Sequence, residues 1–224
     1  MIEKLDFYDL LGVLIPGTVF MCLGAVCYPT IAIKLEVAKF PEAFSVIALT
    51  SAALFCGQVI QSLASLVEPL IEKTWGGRIS EKALTHGLGE RYLPKDSATR
   101  ISKRLSEAIK EEGSQRSKFL FALQLSETGG NPRIARFNAL YAHFRVLFVL
   151  SLTVFIMLSH AFIWGGLRAW NCSDKIGMSL LAAALMALFW NRTRQRAIYY
   201  VREVLLTAER LLNAPTPNQT IHHD

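Results

Sequence analysis

Charge is in short supply along this sequence. Only 19% of its 224 residues are Asp, Glu, Lys or Arg, against about a quarter in an ordinary soluble domain. Apolar residues make up 52%, and the mean hydropathy is +0.31. The shortage is also local: no charged side chain occurs from Leu10 to Ile33, Ala43 to Val67, Val146 to Leu167 or Ile176 to Trp190. One small core cannot house four such runs, so a soluble enzyme and a wholly disordered chain are excluded. Cysteine is scarce as well. Cys22, Cys27 and Cys56 fall inside uncharged runs and only Cys172 lies between them, which excludes a secreted disulfide framework. Paired carboxylates, a phosphate-cradling glycine loop and a metal-ligand cluster are missing too. Gly87 and Gly89 stand two apart without the neighbouring strand such a loop requires. No metal and no cofactor are therefore expected.

What the chain has instead is apolar length. A helix crossing a hydrocarbon core of about 30 Å needs about 20 mostly apolar residues. The first three uncharged runs hold 24, 25 and 22 residues, and the fourth holds 15. The fourth is extended by Trp170, Cys172 and a snorkelling Lys175 on one side and by Trp190 on the other. The expectation is an all-α integral membrane protein with four transmembrane helices, over 10–33, 43–67, 146–167 and 176–190.

Lys and Arg in the connections set its orientation. One precedes the first span, two lie in 34–42, fourteen in 68–145, two in 168–175 and five in 191–224. Four spans put twenty of these on one side and four on the other, so the positive-inside rule predicts both termini and the middle segment in the cytoplasm of a bacterial inner membrane. The chain then divides into an N-terminal hairpin, 1–67, a cytoplasmic helical module, 68–145, and a second hairpin, 146–190. A cytoplasmic helix follows over 191–213, with a disordered tail over 214–224. The first run is too long, and Glu3, Asp6 and Asp9 leave its start too acidic, for a signal peptide.

Within 68–145, Ser97 is placed to cap a helix carrying Ile101, Leu105 and Ile109 that ends near Gly113. A second helix is expected over about 117–126, stopped by Gly129 and Gly130. Asn131 and Pro132 then form an N-cap followed by proline at the first helical position. With no breaker before Gly165, one helix should run from there through the third span. Past the fourth span, Ile198, Val201, Leu205, Ala208 and Leu212 step by 3 and 4, an a/d-like seam that either pairs with another copy or, as expected, packs on Ile134, Phe137, Tyr141 and Phe144.

Several positions suggest function. The first span contains Tyr8-Asp9-Leu10-Leu11-Gly12-Val13-Leu14-Ile15-Pro16-Gly17. Proline frees a carbonyl one turn earlier and glycine permits a bend, so a kink or break is expected at Pro16 and Gly17. This decapeptide, with the layout of spans, resembles a set of bacterial inner-membrane proteins opening on Tyr-Asp-x-Leu-Gly-x-Leu-Ile-Pro-Gly. Some of those are associated with phage-defence loci, and the resemblance implies no active site.

In the second span Ser51, Gln58, Gln61, Ser62 and Ser65 share one side of a helix. Amides in hydrocarbon seek partners, so these residues either bond to another helix of the bundle or line a hydrated path in an oligomer. Ala53 with Gly57, and Ala183 with Ala187, are small-residue pairs that allow helices close approach. His160 is the one titratable group inside the third span. It lies about 21 Å along its span against about 9 Å for Gln61, so the two are on different levels. Arg136 and His143 have six residues between them, a spacing that resembles the Arg-x(4–6)-His element of HEPN ribonucleases, in which histidine would act as acid or base.

Three function classes follow: an interaction or sensor protein, a membrane-perturbing effector whose polar face becomes a lumen, and a membrane-tethered ribonuclease. The first two require self-association. The expected partners are the lipid bilayer, further copies of the chain and a cytoplasmic protein, with nucleic acid not expected.

Overall fold

The computed structural model describes residues 7–28, 41–109, 113–164 and 170–214. Among these residues seven helices follow in order: α1 (Phe7–Cys27), α2 (Glu42–Thr74), α3 (Ile79–His86), α4 (Lys95–Ile109), α5 (Gln115–Thr128), α6 (Pro132–Ile163) and α7 (Cys172–Asn213). Among the described residues there is no strand, only an isolated bridge between Gly89 and Leu93. Helices α2, α6 and α7 are long and apolar enough to cross a membrane, and Gly12–Cys27 within α1 is a shorter apolar helix. The far end of the first predicted span, Lys34 and Lys39 after it, and the tail from 215 lie outside the described residues.

The long helices run where the sequence contains no breaker. Helix α6 starts at Pro132 behind Asn131, whose Oδ1 accepts the N–H of Arg133 at 3.1 Å, and continues for 32 residues. Helix α7 continues for 42. Its 15-residue uncharged run lies in its first half, and from Cys172 to Trp190 it rises about 27 Å.

Elsewhere local chemistry moves the boundaries. Helix α4 begins at Lys95, behind Pro94 whose carbonyl accepts the N–H of Ala98, so Ser97 lies inside the first turn and does not cap it. Helix α5 begins earlier than expected because Ser114 is its cap, accepting the N–H of Ser117 at 3.2 Å. Helix α2 runs past the predicted end of its span, through Pro69, to Thr74. Helix α3 was not foreseen. It occupies the eight residues between the positive-φ pairs Gly76–Gly77 and Gly87–Gly89.

The chain forms two compact units. The first comprises residues 1–69 and 142–193, the second 70–141 and 194–224; α2, α6 and α7 each contribute to both. In the first unit Ile60, Ala64, Val146, Val149, Leu150, Val154, Leu158, Ala161, Ala182 and Cys27 make one buried cluster. Around it Phe44, Phe55, Leu66, Leu180 and Ile163 are exposed, each by more than 60% of its surface. Apolar surface of that extent facing outward is the reverse of a soluble domain and suits a lipid solvent.

The second unit has an ordinary core: Trp75, Ala83, Leu84, Leu93, Ile101, Leu105, Val204, Leu205 and Ala208 are buried. Helices α3, α4 and α5 pack on one another. The α3–α4 loop is held by Arg202 Nε, which donates to the Tyr92 carbonyl at 2.8 Å, and by the Tyr92 ring set edge-on to Tyr199. Gly87 has φ +75°, and a Cβ there would lie 2.5 Å from the Leu93 carbonyl oxygen, so the turn requires glycine. Of the α7 seam, Val201, Leu205 and Ala208 are buried and Ile198 and Leu212 partly so, while the ring that stacks on Phe137 of α6 is Tyr199, beside the seam. Asn131 Nδ2 donates to Thr207 Oγ1 at 2.9 Å and to Glu203 Oε1 at 3.3 Å, fixing the start of α6 to α7.

Candidate functional site

Helix α2 has two unlike faces in the first unit. On one, Ala53, Gly57, Ile60 and Ala64 recur at intervals of 4, 3 and 4 and are all buried. Helix α1 crosses there. A Cβ on Gly17 would run into the backbone carbonyl of Ala53 and lie 2.7 Å from the Gly57 nitrogen, and one on Gly57 would run into the backbone of Val13. The two helices therefore touch backbone to backbone, which only glycine at both positions permits.

This contact falls at the kink or break expected at Pro16 and Gly17. Helix α1 is unbroken from Phe7 to Cys27, Pro16 and Gly17 are both buried, and Gly17 serves the crossing. Of the kink or break expected there, a break does not occur, and the turn packs against a neighbouring helix.

The other face of α2 carries Ser51, Gln58, Gln61, Ser62 and Ser65, all exposed. At about 100° per residue their mean direction is turned about 125° from the Ala53–Gly57–Ile60–Ala64 face. Of the two expected uses of this face, bonding to another helix of the same bundle or lining a hydrated path, the first is seen within one chain only at Ser65. Ser62 Oγ donates to the Gln58 carbonyl at 2.9 Å and Ser65 Oγ to the Gln61 carbonyl at 3.2 Å, so both turn back onto their own helix. The side-chain amides of Gln58 and Gln61 bond to none of the described residues.

Only Ser65 meets a second helix. Arg145 Nη2 of α6 donates to its Oγ at 3.4 Å, and Arg145 Nη1 pairs with Glu68 Oε2. This ion pair, unforeseen from sequence, marks one end of the polar face. From Arg145 to Ile163 α6 rises about 27 Å, close to one hydrocarbon thickness of about 30 Å.

At the far end of α6, His160 is not alone. Its Nδ1 shares a hydrogen bond of 2.8 Å with the Tyr28 hydroxyl, and its ring stacks on Trp164. Tyr28 follows α1 directly, and Tyr and Trp side chains such as Tyr28 and Trp164 are the kind that mark a membrane–water boundary. Tyr28 was missed from sequence, because no periodicity links it to residue 160.

Arg136 and His143 stand on one helix, two turns apart, and both are exposed. Arg136 belongs to the second unit and His143 to the first. Desolvation by packing lowers the pKa of the His143 imidazole from its ordinary value. In the second unit the pKa of Tyr200 is raised, by burial first and by the Glu127 carboxylate second.

Among the described residues no three His, Cys, Asp or Glu side chains converge to hold a metal ion. The four cysteines are free, Cys27 buried and Cys22 and Cys172 exposed. Chemically, the α2 face therefore offers amide donors and acceptors along a hydrophobic run. No family model, curated protein or solved structure matches this chain.

Proposed function

We propose that this chain is a homo-oligomeric, four-span protein of the bacterial inner membrane. It acts as a sensor or scaffold without catalytic activity, and its second unit receives a signal on the cytoplasmic side. The observation carrying this reading is that α2, α6 and α7 each belong to both units. A protein or ligand that shifts the helices of the second unit acts on the same helices that face lipid. The α1 helix supplies the fourth span, its 21 residues extended by the apolar sequence to Ile33. The basic asymmetry of the connections supports termini in the cytoplasm.

A second reading draws on the exposed polar face of α2. In it the oligomer responds to its signal by opening a hydrated path along Ser51, Gln58, Gln61, Ser62 and Ser65, as a defence-type effector would. Induced expression in cells reporting membrane potential and RNA integrity together tests both readings. Depolarisation abolished by Gln58→Leu/Gln61→Leu would favour the permeability reading. RNA cleavage abolished by Arg136→Ala/His143→Ala would replace both with a membrane-tethered ribonuclease. A sensor or scaffold leaves both signals unchanged until its partner is supplied.

A further inference from the structure

The exposed side of α2 has a regular spacing beyond the polar residues themselves. Ala48, Ser51, Phe55, Gln58, Ser62 and Ser65 follow at intervals of 3, 4, 3, 4 and 3, and every one is exposed. That is the spacing of a seam between two supercoiled helices. Gln58 stands ten residues from Glu68, about 15 Å along the axis, which is the middle of a hydrocarbon layer of about 30 Å. There neither water nor a lipid headgroup reaches the amide, and acyl chains offer it no hydrogen bond. Helix α1 does not cover it either, because it packs on the glycine face, turned about 130° from Gln58, and Gln58 is exposed.

The chemistry of the group identifies its occupant. A primary amide carries both donors and acceptors, so an identical amide at the same depth satisfies it. Two copies inserted with the same topology and related by a twofold axis along the membrane normal place Gln58 beside Gln58. The serines at 51, 62 and 65 and Ala48 are small enough to let the backbones approach. Ser62 and Ser65 already spend their hydroxyl protons on their own helix.

We propose that α2 pairs in parallel with α2 of a second copy along Ala48, Ser51, Phe55, Gln58, Ser62 and Ser65, with the Gln58 amides bonded across the seam. This rests on the homo-oligomeric reading above and specifies its interface. It also makes the polar face a dry contact, against the hydrated path of the permeability reading.

The test uses the full chain in native membranes, its four cysteines replaced by alanine, with single cysteines introduced by Ser51→Cys, Ser62→Cys, Leu63→Cys or Ala184→Cys. Mild oxidation should link dimers through positions 51 and 62 and not through 63 or 184. Adding Gln58→Leu to the Ser62→Cys chain should lower the association constant about 3- to 30-fold, the value of one interhelical hydrogen bond. Gln58→Asn should restore much of it, which a folding defect would not.

Linkage through position 184 alone would overturn the α2 seam and leave self-association standing. No linkage anywhere, with monomer mass in mild detergent, would overturn the oligomer as well. Equal linkage at 63 would show random collision and refute the seam. Rapid reaction of cysteines at 51 and 62 with a membrane-impermeant maleimide would show water on this face and refute the dry contact.

Discussion

The α1–α2 crossing makes a sharp prediction about two glycines. At Gly57 a Cβ would overlap the backbone carbonyl of Val13 and lie 2.8 Å from Val13 Cγ1; at Gly17 it would overlap the backbone of Ala53. A flexible side chain could swing away, but a backbone moves only with its helix. Alanine at either position must push the helices apart or distort them, an overpacking cost of about 1–3 kcal/mol. Alanine also favours a helix over glycine by about 1 kcal/mol, and this gain must be removed by comparison. Gly12 and Gly177 provide the controls, since a Cβ at either meets nothing within 4 Å. The contrast between Gly57→Ala and Gly177→Ala should therefore be about 1–3 kcal/mol, read from SDS titrations in mixed micelles followed by circular dichroism. Gly17→Ala with Gly57→Ala should cost less than the two singles together, because the first has already opened the crossing. Equal stability of Gly57→Ala and Gly177→Ala, within about 0.5 kcal/mol, would refute the backbone contact.

Other sites give further expectations. Arg145→Ala should destabilise the first unit by about 1–3 kcal/mol, between the exposed and fully buried limits, because Glu68 and Ser65 lose their partner; a double-mutant cycle with Glu68→Gln checks it. Asn131→Ala should cost about 1–2 kcal/mol through the lost cap, visible as faster amide exchange at Arg133 and Ile134, while Asn131→Asp keeps the cap. Tyr200 holds its proton more tightly in the folded chain than in the unfolded one, so its contribution is intact below the ordinary tyrosine value of about 10 and is lost as pH rises through the folded value. Alkaline unfolding of the wild type should therefore be steeper than that of Tyr200→Phe.

The long elements were legible because nothing in the sequence interrupts them. Pro132 and the absence of a later breaker predict α6, and the 3–4 spacing from Ile198 to Leu212 predicts the face of α7 that is buried. Short-range chemistry was less legible. Helix α3 lacks an apolar stripe long enough to outweigh the two glycine pairs around it. Ser97 has the chemistry of a cap, but Pro94, three residues earlier, is what starts the helix.

What sequence could not supply was pairing at distance. Ala53 and Gly57 are recognisable as a close-approach pair, yet nothing in one dimension names Gly17 and Val13 as the partners. Glu68 with Arg145, and Tyr28 with His160, are separated by 77 and 132 residues and have no shared period. The polar stripe is legible as one face of a helix. Whether α1 covers it depends on which side of α2 that helix takes, and α1 takes the glycine side.

The central claim is that four helices cross the membrane with both termini and the second unit on the cytoplasmic side. Single cysteines introduced by Glu3→Cys, Lys39→Cys and Lys103→Cys in a cysteine-free chain test it by labelling intact cells with a membrane-impermeant maleimide. Position 39 should label from outside, while 3 and 103 should label only after permeabilisation. Labelling of 3 together with 39 would show that α1 does not cross, and labelling of 103 in intact cells would contradict the whole orientation.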